Sequence, residues 1–195
     1  MKILITGAAF IALLSLSITV NAQRIKLTQG DLAALKSETS IDFKFTYENM
    51  GVGKYKDEAD YVTQKTADYN KKESGKGDTW AKAWVDDRAF RYEPKFIELF
   101  IKYSNMTRDP QAKYTIIFNT YFTEPGFNVG VLRQSAKING TATIVETANP
   151  SNVIAVVSIE KAPGGDWSGY DFDTGLRIQE SYAEAGKGLA KFIKK

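Results

Sequence analysis

The run Tyr114–Phe122 constrains the fold more than any other stretch. Its residues, YTIIFNTYF, are almost all aromatic or β-branched, side chains that pack well on a pleated surface and lose rotamer freedom in a helix. Ile116, Ile117 and Phe118 are consecutive, so apolar groups fall on both faces. That pattern predicts a strand inside a sheet rather than at its edge. Further strands follow. Lys137–Glu146 alternates, with Ile138, Ala142 and Ile144 on one side, and Val153–Ile159 (VIAVVSI) is a second β-branched run. Asn149-Pro150-Ser151-Asn152 between them has the composition of a turn, so the pair predicts an antiparallel hairpin. Asn139-Gly140 could instead close a two-residue turn of its own, but that would leave very short flanking pieces, and one continuous strand is preferred. Upstream, Ile41, Phe43, Phe45 and Tyr47 share one face and Asp42, Lys44 and Thr46 the other, a half-buried strand. Ile25-Lys26-Leu27 alternates as a short one. Glu124–Gly130 reads as a turn-rich loop.

Helical spacing appears elsewhere. Asp31 can cap one or two turns over residues 31–36. Residues 56–73 are polar, with Tyr61, Val62, Thr66 and Tyr69 at helical intervals. Asp78 is placed to cap a second helix that carries Trp80, Trp84, Val85 and Arg88 on one stripe. Pro94 fits the first turn of a third, with Asn105 as its stop. The last helix runs from Asp173 to about Ile193 on the stripe Ile178, Tyr182, Ala185, Leu189, Ile193. Its Gly186 would permit close approach to a sheet. Its carboxylates come early and its lysines late, in the sense the helix dipole favours. The expected fold is α+β (mixed α/β): two layers, helices on a mostly antiparallel sheet of about four to five strands.

The first segment has another purpose. Met1-Lys2 is followed by an almost wholly apolar stretch from Ile3 to Val20, then Val20-Asn21-Ala22 and an abrupt polar onset at Gln23-Arg24. This is a secretory signal peptide, residues 1–22, cleaved after Ala22, leaving residues 23–195 as one domain. A retained anchor is the competing reading, because the run approaches the roughly 18 residues that span a bilayer. Small residues before the cut favour cleavage. The expected location is periplasmic or secreted, with no membrane span after cleavage. No cysteine is present, which excludes a lipid-anchored lipoprotein and suits a bacterial envelope better than a disulfide-stapled domain.

With neither Cys nor His in 195 residues, Ser-His-Asp triads, Cys-His dyads, zinc fingers and H-E-x-x-H helices are impossible. What chemistry remains would use carboxylates, Lys, Tyr or a hard cation held by oxygen. The expectation is a non-enzymatic chain. A net charge of +3 and scattered lysine doublets do not make the clustered basic face that nucleic acid requires.

Two groups of residues are candidate binding sites. Trp80, Trp84 and Arg88 could line a groove with a cationic edge, since Trp and Arg are enriched at binding hot spots. The alternative is core packing, with Arg88 snorkelling or paired to a carboxylate, and the periodicity favours it. The second group is the loop Pro163–Asp173. There Asp166, Asp171 and Asp173 could supply oxygen ligands to Ca²⁺, and Trp167 and Tyr170 could form a platform for a sugar. Its alternative is a glycine-rich connection whose Asp173 caps the final helix, which the capping rule favours. Asp86-Asp87 are neighbours on a helix and point about 100° apart, so they cannot flank one glycosidic bond.

Taken together, Trp80, Trp84, Arg88, Tyr92-Glu93-Pro94-Lys95-Phe96, Glu124-Pro125-Gly126-Phe127, Glu146–Ser151 and Asp171-Phe172-Asp173-Thr174-Gly175 with Arg177-Ile178 resemble small secreted proteins of unknown function from Gram-negative anaerobes. The element order is similar to the periplasmic domain shared by the curli secretion channel lipoprotein and the TolB amino-terminal domain. That resemblance implies an envelope-associated scaffold. The chain departs from the channel family in lacking the lipid-attachment Cys and an amphipathic membrane hairpin, so no pore function is implied. Two functions stand as expectations. The first is a non-catalytic interaction module with an envelope or outer-membrane protein partner. The second is a ligand-binding or carboxylate-based glycan-active protein using the Asp166–Asp173 loop.

Overall fold

The computed structural model describes residues 23–129, 132–164 and 173–195. Residues 1–22, where a signal peptide is expected, and the loop residues Asp166, Trp167, Tyr170 and Asp171 lie outside them. The elements are β1 (Arg24–Gly30), α1 (Ala33–Lys36), β2 (Ser40–Thr46), β3 (Gly51–Val52), α2 (Glu58–Lys72), α3 (Lys76–Asp87), a π turn (Arg88–Tyr92), α4 (Glu93–Ser104), β4 (Thr107–Arg108), β5 (Tyr114–Glu124), β6 (Phe127–Val129), β7 (Leu132–Gln134), β8 (Lys137–Glu146), β9 (Asn149–Pro163) and α5 (Thr174–Ile193).

The fold is mixed α/β, helices on a sheet, but the sheet has seven strands, not four to five. Its order is β1-β9-β8-β5-β2-β4, with β3 also paired to β5. The additional strands, β3 and β4, are two residues long, too short to carry any periodicity. The β1–β9–β8–β5 half is antiparallel, while β2, β3 and β4 add in parallel. The expected loop at 124–130 contributes β6, which pairs with β7 as a separate hairpin.

β5 is central as expected, although helices cover only one of its faces. Ile116 and Phe118 are fully buried, whereas Ile117 is half-buried among the polar partners Lys44 and Thr143 on the opposite face. The β8–β9 turn is tighter than expected: Glu146 pairs with Asn149, leaving Thr147-Ala148 as the turn. Pro150 falls in a register break where it pairs with neither β8 nor β1, so its missing N–H breaks no ladder bond.

α4 and α5 cover the sheet. Phe96 of α4 meets Phe118 of β5 at 4.7 Å between ring centres, and Phe100 meets Phe43 of β2 at 5.2 Å. Tyr182 of α5 is buried over the same strands and shares a 2.7 Å hydrogen bond with Thr120. Gly186 does permit close approach, but to α4 rather than the sheet: a Cβ there would lie 2.3 Å from the Phe96 carbonyl oxygen. α4 carries Pro94 in its first turn and stops at Asn105, which adopts a left-handed conformation (φ 57°). α3 starts two residues before the expected Asp78 cap, behind Gly75 at φ 81°.

Candidate functional site

The Trp80–Trp84–Arg88 stripe divides into two halves. Trp84 is buried, and its indole N–H donates to Glu58 Oε1 of α2 at 2.6 Å. Arg88 donates to the same carboxylate oxygen, and its guanidinium lies 4.0 Å from the centre of the Tyr47 ring. Tyr47 in turn donates its hydroxyl to Glu93 Oε1 at 3.2 Å. These contacts brace α2, α3, the π turn, α4 and the residue that follows β2 together. Burial, then the neighbouring Tyr182 and the Glu93 charge, pushes the Tyr47 phenol well above its ordinary range. Arg88 is therefore occupied by a carboxylate and a ring, as the core-packing alternative requires, and does not form a cationic groove edge.

Trp80 is different. It is only half-buried, and its ring lies 5.7 Å from Tyr69, 5.7 Å from Trp84 and 5.8 Å from Tyr61. It lines a cleft of about 380 Å³ together with Tyr69, Ala83, Trp84, Asp87, Arg91, Asp173, Thr174 and Gly175. Trp80 of one candidate group and Asp173 of the other, far apart in sequence, thus share one cavity.

Its polar wall is a charged bridge. Arg91 Nε lies 3.0 Å from Asp87 Oδ1, and Arg91 Nη1 donates to Asp173 Oδ2 at 2.7 Å. Asp173 Oδ1 accepts the Leu176 backbone N–H at 3.2 Å and so caps α5. Burial works to raise the Asp173 carboxyl, but the Arg91 hydrogen bond and the N–H groups at the helix start outweigh it and hold it below the usual range. Asp87 moves the other way: burial raises it, and Arg91 offsets only part of that. Gly175 allows the bridge to close against α5, since a Cβ there would fall 2.2 Å from Asp87 Oδ2 and 2.8 Å from Arg91 Nη1. Thr174 accepts a 3.0 Å hydrogen bond from Arg177, which leaves its hydroxyl hydrogen to donate.

Asp86 turns away from this wall and pairs with Lys82, as adjacent helical carboxylates must diverge. Sequence reasoning missed Arg91, Tyr69 and Gly175. The i,i+4 spacing of Asp87 and Arg91 was the available signal for the first. Asp166, Trp167, Tyr170 and Asp171 lie outside the described residues. Among the described residues no group of three His, Cys, Asp or Glu side chains is placed to hold a metal ion. Asp173 itself is engaged, each of its carboxylate oxygens accepting a hydrogen bond. No described helix is long and apolar enough to cross a membrane.

The arrangement provides an aromatic face beside a row of fixed acceptors and donors, in a cleft open to solvent. No family model matches the sequence, and no curated protein matches it. Among solved structures, the PelC dodecamer from Paraburkholderia phytofirmans matches in two crystal forms. Identity is 11% and 10%, TM-scores are 0.37 and 0.38, and 84% of this chain is covered against 97% and 96% of that chain. Likeness at that level transfers no function.

Proposed function

We propose that this chain is a non-catalytic glycan-binding protein of the bacterial envelope, and that the α3–α5 cleft holds the sugar. The observation that carries the reading is the presence of Trp80 and Tyr69 in one cavity with the Asp87–Arg91–Asp173 bridge. A pyranose ring has an apolar C–H face and a hydroxyl rim. The C–H face suits the negative face of an indole or phenol ring, and the rim suits carboxylate acceptors and a guanidinium donor fixed in place. Few polar groups on a partly apolar wall is the usual composition of a ligand pocket. The envelope location rests on the signal-peptide reading of residues 1–22.

Binding rather than hydrolysis is favoured by how the carboxylates are used. A general acid must hold a proton near neutral pH and a nucleophile must be free to attack. Here both carboxylates are tied to one arginine, and Asp173 also caps a helix.

The test is a thermal and tryptophan-fluorescence titration with neutral oligosaccharides: β-linked glucose, N-acetylglucosamine, xylose and mannose oligomers. At least one raises the melting temperature, as any ligand selective for the folded state must, and releases no shorter product. No shift with any of them defeats the reading, and turnover defeats its non-catalytic part.

A further inference from the structure

We propose that the open edge of β2 accepts an extended acidic peptide as an added strand, seated against α4. This site is separate from the α3–α5 cleft and does not depend on it.

Over residues 42–46, β2 pairs with β5 on one side. On its other side β4 covers only Ser40 and Ile41. The Ile41 carbonyl accepts the Asp109 N–H at 3.1 Å on that side. Alternate residues of a strand direct their backbone groups the same way. Phe43 and Phe45 therefore direct N–H and C=O to the edge that no described strand covers. A cavity of about 730 Å³ runs along it, walled by Phe43–Thr46 on one side and by Ala89, Pro94 and Ile97 on the other. Phe90, beside Ala89, is 79% exposed. A row of unpaired backbone groups next to an apolar helix wall matches strand addition, in which main-chain bonds hold the peptide and alternate side chains enter pockets.

Charge selects the occupant. Among the described residues neither Lys44 nor Arg108 at the groove has a carboxylate partner. Of the groove's own acids, Glu98 is paired with Lys95 at 3.1 Å, while Glu93 accepts from the neutral Tyr47 hydroxyl at 3.2 Å and keeps its charge. Lys44, Lys95 and Arg108 outnumber Glu93 and Glu98, so the surplus charge is positive and an acidic strand complements it. A second copy of the chain fits worse. Its free sheet edge, β1, carries Arg24 and Lys26, and two β2 edges would bring their Lys44 side chains together.

The experiment titrates the protein with three capped peptides of about ten residues: alternating Val-Glu, alternating Val-Lys, and the Val-Glu peptide N-methylated at every second residue. Amide exchange is read at Phe43 and Phe45. The expected result is at least about tenfold slower exchange at both amides with Val-Glu. Affinity should fall with added salt and be about tenfold weaker for Val-Lys. N-methylation, which removes the ladder donors, should abolish it. Lys44→Glu with Arg108→Glu should reverse the charge preference without touching the buried face. Failure of every peptide to protect these amides would overturn the proposal. So would equal binding of Val-Lys, or protection that grows with protein concentration alone, which would make a second copy the occupant.

Discussion

The two helical regions of this molecule are held in different ways. α5 buries eleven of its twenty residues, and with α4 it closes over the sheet through Phe96, Phe100, Phe118 and Tyr182. α2 buries Tyr61 alone of its fifteen. The α2–α3 pair is instead held by one buried ring contact, Tyr61 5.1 Å from Trp84, continued outward by half-exposed rings, Tyr69 5.7 Å from Trp80, with Lys65 over both tyrosines. Stabilisation scales with apolar area removed from water, so half-exposed rings contribute less than buried ones. Aromatic side chains at the α2–α3 surface thus give up packing energy that the α4–α5 layer realises in full. One region makes the fold, and the other leaves aromatic surface open to solvent.

Substitutions should separate the two. Phe96→Ala removes the ring at the centre of the α4–sheet contact and should cost about 3–5 kcal/mol in urea unfolding; a loss below about 1 kcal/mol would contradict the division. Glu58→Ala removes the acceptor shared by Trp84 and Arg88, which should cost about 1–3 kcal/mol. Amide exchange should then rise in α2 and α3 and stay unchanged in α5. Equal acceleration in α5 would mean that the regions are not independent. Gly175→Ala places a Cβ against the ends of two flexible side chains, Asp87 and Arg91. Stability should change by about 0.5 kcal/mol or less, while affinity for a bound oligosaccharide falls, because the charged bridge is displaced.

The smallest effect is a pH dependence. Asp173 is held below its unfolded value, which lies near 3.9. Its contribution is present above that value and is lost as pH falls through the lower folded one. The stability gap between the wild type and Asp173→Asn should therefore be present at pH 5 and shrink as the pH drops below about 4. Asp87, raised by burial, works in the opposite sense: protonation relieves it, so Asp87→Asn should lose less at neutral pH than Asp173→Asn does. Both groups are partly exposed, and solvent screening keeps either effect to a few tenths of a kcal/mol, about the size of a surface pair. Identical pH profiles for the two variants would remove the assigned asymmetry.

What the sequence made legible follows the same division. β2, β5, β8 and α5 could be read from it because a buried face imposes a period over many residues. The Asp173 cap was equally readable, being a local rule. β3 and β4 were not, since two residues carry no period, and the β8–β9 turn falls ahead of Pro150 because that proline, a turn former by composition, sits instead in a register break of β9. The stripe of Trp80, Trp84 and Arg88 was visible, but which member remained open was not: Glu58, from another helix, occupies two of the three. The Asp87–Arg91–Asp173 bridge was hidden for the same reason. It joins α5 to the π turn across 82 residues, and no one-dimensional pattern encodes such a meeting.

The most direct test of the account follows the indole N–H signals of Trp80 and Trp84 by NMR during titration with the oligosaccharide that most raises the melting temperature. The account predicts that Trp80 shifts with saturation, that Trp84 moves far less, and that Trp80→Ala abolishes binding while the protein stays folded. Saturable binding that leaves Trp80 unmoved, or survives its replacement, would contradict it.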